Sequence, residues 1–297
     1  MTSFDVCVVG HITQDLIEMP GRQPEWRPGG GAYYAGIAYA RLGLPTLVIT
    51  KANVRGEAET LETLREMGAE VRCLASEETT RFENAYSADP MAPRRQRLLA
   101  RAAPITAADI AGPKARAYHF APLSPGDISL DLWRLAPRPG LTALDAQGMV
   151  RLCREDGIEL MDWAGKTEVL NDVDVLKVSG REATVLTGTI DPARAAKALR
   201  RFGSSEVLVT LGGEGAVVAY AGGILRVPSY RTESLADATG CGDSFLAGYL
   251  ACRLWGTSVK DAAHFASALA SLKAERIGAF SGCRRDVEER LRAAEGA

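Results

Sequence analysis

Short apolar runs alternate with longer stretches of helical periodicity along most of the chain, a rhythm that predicts strands and helices layered about a mainly parallel sheet. Residues 4–9 read as a buried first strand, and residues 30–43 as a helix rich in Ala and Gly. Gly43 stands just past the end of that helix and Pro45 two residues beyond. Residues 46–50 are strand-like, 57–67 helical and 71–74 strand-like again, giving the β-α-β succession of right-handed crossovers. The alternation returns at 117–120, 141–144, 173–178 and 207–211, and a hairpin pattern covers 216–227. Near the C-terminal end, Leu246, Leu250 and Leu254 recur on one helical face and Gly256 stops it. A second helix opens at Ser258, with Asp261 three residues on, and runs to about residue 277.

Two segments break this rhythm. Residues 15–28 and 79–101 carry strand-like pieces, the latter at 81–86 and 96–101 around the turn-prone Asp89-Pro90 and Pro93, with no helix between them. They predict a small β lid over the core of a single domain spanning residues 1–297.

Composition narrows the class of function. With 297 residues, 46% of them hydrophobic, the chain can bury a large core, and a net charge of -2 offers no broad attraction for nucleic acid or an anionic membrane. The six cysteines form no C-x-x-C pair, and His11, His119 and His264 are dispersed, so no zinc site or disulfide framework is signalled. The scattered cysteines suit a reducing cytoplasm; the run Val6-Cys7-Val8-Val9 is too short for a leader, and no stretch approaches the roughly 18 apolar residues of a membrane span, so a soluble, unprocessed cytoplasmic protein is expected. Arg94, Arg95, Arg97 and Arg101 mark either a solvated lid strand or an anion site.

The chemistry concentrates in Asp237-Ala238-Thr239-Gly240-Cys241-Gly242-Asp243, a glycine-punctuated loop running directly into an amphipathic helix. Glycines permit close backbone approach, and the unpaired amides of a helix's first turn favour an anion. A phosphoryl group is expected to be held there by backbone and not by lysine. Asp243 is then placed to take the proton of an attacking hydroxyl, or else merely caps its helix. Neither G-x-x-x-x-G-K-[ST] nor G-x-G-x-x-G occurs in the chain.

This loop resembles the signature D-T-x-G-A-G-D of the PfkB, or ribokinase-like, carbohydrate kinases. Gly29-Gly30-Gly31, followed by a small-residue helix ending Arg41-Leu42-Gly43, is similar to the family's N-terminal signature. The resemblance implies a three-layer α/β/α sandwich with a mainly parallel sheet and a β lid. It implies Asp243 as catalytic base and Gly240, Cys241 and Gly242 as the amides of an anion hole. Cys241 stands where alanine is common, either as an inert thiol or as one sensitive to oxidation. Thr210-Leu211-Gly212-Gly213-Glu214-Gly215 resembles the family's T-x-G-x-x-G turn against ATP, which implicates Thr210, Gly212, Gly213 and Gly215. Ser179 and Glu182 match the N-x-x-E motif that orders water around Mg2+, with serine in place of asparagine. A K+ site at Asp237 and the segment 274–281 is a further implication.

The acceptor is expected at Asp15, Gly30, Gly31, Tyr34 and Lys51, with Glu83 reaching in from the lid. Tyr34 replaces an asparagine that binds sugar in typical ribokinases, and the surroundings are loosely similar to the branch containing plant myo-inositol kinase. Tyr33 and Tyr34 either stack on a ring or pack beneath the lid; Asp15 either accepts hydroxyls or is a solvated loop acid.

The reading that joins these features is ATP-dependent phosphorylation of an alcohol on a small sugar, cyclic polyol or nucleoside, with a homodimer through the lid as an open possibility. A non-catalytic ligand-binding regulator on the same fold is the alternative, against which the intact Asp243 argues. An NAD(P)-dependent oxidoreductase lacks its glycine fingerprint.

Overall fold

A computed structural model describes residues 3–89, 94–135 and 140–295. In chain order the strands are β1 (Ser3–Gly10), β2 (Thr13–Glu18), β3 (Glu25–Gly29), β4 (Thr46–Ala52), β5 (Ala69–Ala75), β6 (Thr80–Ala85), β7 (Arg95–Ala100), β8 (Lys114–Ala121), β9 (Leu141–Asp145), β10 (Arg151–Cys153), β11 (Ile158–Leu160), β12 (Val175–Ser179), β13 (Glu206–Thr210), β14 (Ala216–Tyr220) and β15 (Gly223–Val227). The helices are α1 (Gly31–Arg41), α2 (Ala58–Glu66), α3 (Leu130–Leu135), α4 (Lys166–Leu170), α5 (Gly180–Thr187), α6 (Pro192–Arg200), α7 (Cys241–Leu254), α8 (Val259–Ala274) and α9 (Arg284–Glu295).

The main sheet has nine strands in the order β15-β14-β13-β12-β9-β8-β1-β4-β5. It is parallel from β13 to β5 and antiparallel only through the hairpin β13-β14-β15. Alternation along each strand feeds two separate cores. Val6 and Val8 pack with α1, α2, α7, α8 and α9 on one face, whereas Cys7 and Val9 pack with α3, α4, α5 and α6 on the other. A strand buried on both faces reads as a continuous apolar run, which is how residues 4–9 look in the sequence.

The two irregular segments pair as a four-stranded sheet, β3-β2-β6-β7. β2 lies antiparallel to β3 but parallel to β6. Pro90 and Pro93 of the expected lid turn lie outside the described residues. α9 is a further helix that the sequence reading did not expect, and α8, the helix opening at Ser258, ends at Ala274, short of the expected 277, where the Ala274 carbonyl accepts from the amides of Ala236 and Asp237. That crossing ties the end of α8 to the start of the glycine loop. No helix among the described residues is long and apolar enough to cross a membrane.

Candidate active site

β1 occupies the middle of the parallel sheet, with β4 and β5 added on one side and β8, β9, β12 and β13 on the other. The order therefore reverses between β1 and β8, and the crevice at the carboxyl ends of strands at such a reversal is where open α/β sheets bind ligands. Gly10 closes β1 opposite Ala121 of β8, so tightly that a Cβ on Gly10 would lie 2.6 Å from the Ala121 carbonyl oxygen. The N-terminus of α1 arrives over this point at Gly30 and Gly31. Gly30 has φ +95°, and a Cβ there would stand 2.5 Å from the His11 carbonyl oxygen.

The N-terminus of α7 faces α1. Gly240 precedes it at φ +77°, and the Tyr34 ring lies so close that a Cβ on Gly240 would come within 2.3 Å of it. Asp243 follows in the first turn and sets its Oδ1 over Gly31, 3.0 Å from where a Cβ would be. Part of Asp243 stays open to solvent, yet the carboxyl is densely surrounded. Burial, aided by the like charge of Asp145, pushes it up to about 6 against the pull of Lys177.

Lys177, in the middle of β12, is the neighbour that sequence reasoning missed. Its Nζ donates to Asp145 Oδ2 at 2.8 Å, and a Cβ on Gly242 would lie 2.7 Å from that Nζ. Burial alone would discharge this ammonium, but Asp145, Glu182 and Asp243 together hold its pKa above the ordinary lysine value. Beside the backbone cradle expected from the sequence, a buried lysine paired with Asp145 stands next to the glycine loop. Arg151, also missed, is 6% exposed, donates from Nη1 to the Leu123 carbonyl at 2.8 Å and lies over the Phe82 ring. Lys177 sits two residues before the recognised Ser179, so its position was readable; the partner Asp145 lies on another strand and carried no local signal.

On the donor side, Thr210 ends β13, and Gly212 and Gly213 form an exposed turn with open space at both Cβ positions. Gly215 is different: its φ is +88° and a Cβ would lie 2.1 Å from the Val227 carbonyl oxygen, so its first duty is to turn the hairpin. Ser179 and Glu182 form a reciprocal capping box on α5, with Glu182 Oε2 accepting from the Ser179 amide at 2.7 Å and Ser179 Oγ accepting from the Glu182 amide at 3.3 Å.

On the acceptor side a cavity of about 280 Å³ is lined by Asp15, Arg27, Tyr34, Tyr86, Asp237 and Thr239, among others. Asp15 is 8% exposed, and burial pushes its carboxyl up to about 6, partly offset by the hydroxyl of Thr13, the charges of Arg94 and Arg151 and the amide of Asn84. Thr13 Oγ1, Asp15 Oδ1 and Asn84 Nδ2 are buried beside one another in the lid, and among the described residues none has a well-formed hydrogen bond to any other group. Asp15 pairs with Phe82 and Ile17 with Asn84 across β2 and β6, so these atoms share the inner face of the lid.

Two expected contacts lie elsewhere. Glu83 alternates to the outer face, where it accepts from Arg97 Nε at 3.0 Å, and that guanidinium holds its carboxyl below the usual range. Lys51 is paired with Asp109 at 2.6 Å and donates to the Pro104 carbonyl at 2.9 Å. Asn84, next to Glu83, occupies the inner position instead.

A buried carboxylate over a helix N-terminus, with an ammonium beside the same glycine loop, is the apparatus of a phosphotransferase. Residues 158–285 match the model of the pfkB family carbohydrate kinases. A solved pyrophosphate-dependent kinase of the ribokinase family, in complex with a pyrophosphate analogue and myo-inositol, is 32% identical. Its superposition covers 96% of this chain and 99% of that one, with a TM-score of 0.86. Inositol 3-kinase of Zea mays is 32% identical over 69% of this chain and 53% of its own length. Cytidine kinase of Thermococcus kodakarensis is 26% identical over 84% and 88%. The chain belongs to the PfkB, or ribokinase-like, family of kinases.

Proposed function

We propose that the chain transfers the terminal phosphoryl group of ATP to one hydroxyl of a cyclic polyol, sugar or nucleoside, with Asp243 as the base. The carrying observation is Asp243, raised to about 6 and set over Gly31 where the acceptor cleft meets the anion loop. A carboxylate with that pKa is ionised at neutral pH and remains basic enough to accept the hydroxyl proton as attack proceeds. The amides of Gly240 and Gly242 and the ammonium of Lys177 stabilise charge on the phosphoryl oxygens, and the Cys241 amide, which donates to the Ala238 carbonyl at 3.2 Å, joins them on exchanging that bond for the phosphate. Charge neutralisation of the donor phosphates comes from Mg2+ when bound. Glu182, a buried carboxylate whose Oε2 accepts from the Ser179 amide at the start of α5, would hold that ion through water.

The buried cluster of Thr13, Asp15 and Asn84, polar groups whose only neighbours of that kind are one another, favours a substrate with several neighbouring hydroxyls, because buried polar groups take up the partners available to them. The similarity to Zea mays inositol 3-kinase and to the solved kinase bound to myo-inositol favours a cyclic polyol.

Pyrophosphate is a second reading of the donor, favoured by the pyrophosphate-dependent relative whose length this chain covers almost completely. We read the exposed Trp26 and Leu99, on the outer face of the lid, as the contact for a second copy, which sedimentation of the purified chain would test. Incubation with ATP or pyrophosphate, Mg2+ and a panel of inositols, sugars and nucleosides, followed by phosphorus NMR, tests the main reading. Acceptor-dependent product that Asp243→Ala loses supports it; ligand binding with no transfer from either donor would return the chain to the non-catalytic alternative.

A further inference from the structure

Lys273 is a buried cation that the transfer chemistry leaves unused. It lies in the last turn of α8, 1% exposed. Its ammonium donates to the main-chain oxygen of Asp237 at 2.9 Å, stands 3.5 Å from Asp237 Oδ2 and lies 5.8 Å from the centroid of the Tyr34 ring. A carbonyl, a carboxylate and the face of an aromatic ring thus surround one ammonium, which are the partners that desolvated cations take.

This is the stretch of chain where the family resemblance implies K+: the loop beginning at Asp237 against the segment 274–281. The groups present do not suit a free ion. The Asp237 carbonyl is already bonded to Lys273, the Asp237 carboxylate accepts from the Thr239 amide at 2.9 Å and balances the same ammonium, and the Ala274 carbonyl accepts from the amides of Ala236 and Asp237. A second monovalent cation would confront a like charge within a few ångströms, with one carboxylate to neutralise both. An ammonium matches K+ in charge and is close to it in size, so a lysine can stand where the ion would.

We infer that Lys273 is a built-in monovalent cation, which fixes the first residue of the anion loop and makes this kinase independent of K+. The inference rests on the kinase reading for its effect on rate, but the positional part has a readout of its own. Lys273 is a positioning residue: it touches Asp237 and Tyr34 and acts on the transferred phosphate through the loop.

The test compares the full-length protein in KCl, NaCl and tetramethylammonium chloride at equal ionic strength, by rate and by thermal midpoint. The expected result is coincident midpoints and rates that agree within about twofold, since an ion that does not bind the folded state cannot stabilise it. Lys273→Met is expected to lose on the order of 100-fold in rate in tetramethylammonium chloride and to gain midpoint and activity selectively in KCl. A midpoint or rate of the wild-type protein that rises specifically with K+ would overturn the inference. So would a folded Lys273→Met protein indifferent to the salt. If that variant does not fold, the wild-type salt series decides alone. If no acceptor is ever phosphorylated, the midpoints still decide, so failure of the kinase reading and failure of this one are distinct results.

Discussion

Gly31 and Asp243 meet across the crevice: a methyl group on Gly31 would lie 3.0 Å from Asp243 Oδ1 and 2.8 Å from the Ala121 Cβ. The glycine at the start of α1 thus makes room for the Asp243 carboxyl on α7, the proposed base, besides any service to the acceptor. Gly31→Ala is expected to fold and to lose on the order of 100-fold in kcat, because a displacement of about 1 Å at a reacting group has that effect. Steady-state rates beside a thermal scan would separate the two consequences.

Removing the base itself has a different signature. Asp243→Ala is expected to lower kcat by about 10²–10⁴-fold while leaving acceptor affinity near its wild-type value, measured by calorimetry. Near-normal turnover in this variant would contradict the assigned mechanism.

The pH profile follows from the same carboxyl. Asp243 must be ionised to accept a proton, so kcat/KM is expected to rise through about pH 6 and level above it. Lys177→Met removes the cation that opposes Burial and Asp145, so the rise should move to higher pH. The variant should also lose about 3–5 kcal/mol of stability, as when a buried pair loses one partner.

Asp15 predicts a conflict between stability and binding. Its folded pKa of about 6 lies above the ordinary 3.8, so its contribution is fully present below 3.8 and is lost as pH rises through 6. At pH 8 the ionised group costs up to about 3 kcal/mol, from roughly two pKa units. Asp15→Asn is therefore expected to raise the thermal midpoint by several degrees at pH 8 but not at pH 3.5, and to raise the KM for the acceptor.

Glu83 tests the assignment of lid faces. Glu83→Gln loses the ion pair of a buried carboxylate with the partly exposed Arg97, on the face of β6 opposite Asn84, and should leave the acceptor KM within about twofold because the two faces of a strand are separate. Asn84→Ala, on the inner face, should raise it by more.

The fold was largely legible because strands buried on both faces announce themselves as apolar runs, and residues 4–9 and 207–211 did so. The glycine loop and Asp243 were legible because an anion hole built from a helix N-terminus is local in sequence. What escaped was assembled across strands. Lys177 and Asp145 meet only because β12 and β9 are neighbours in register, and that Glu83 pairs with Arg97 could not be read because a strand's two faces differ by a single residue. The hairpin β10-β11 carries Arg151, whose inward course no periodicity predicted. Asp191 before Pro192 opens α6 with a standard start signal, which the alternation of strands had left unread.

The central position of β1 has a consequence for biosynthesis. β1 is translated well before β8, its neighbour on one edge, which is made only after the lid strands and two further strands of the sheet have followed. Until then that edge of β1 has no partner in the sheet, and Gly31 must wait for Asp243 until α7 has been translated. Nascent fragments that stop short of α7 are thus sticky and lack the proposed base, and aggregation is the hazard of the interval.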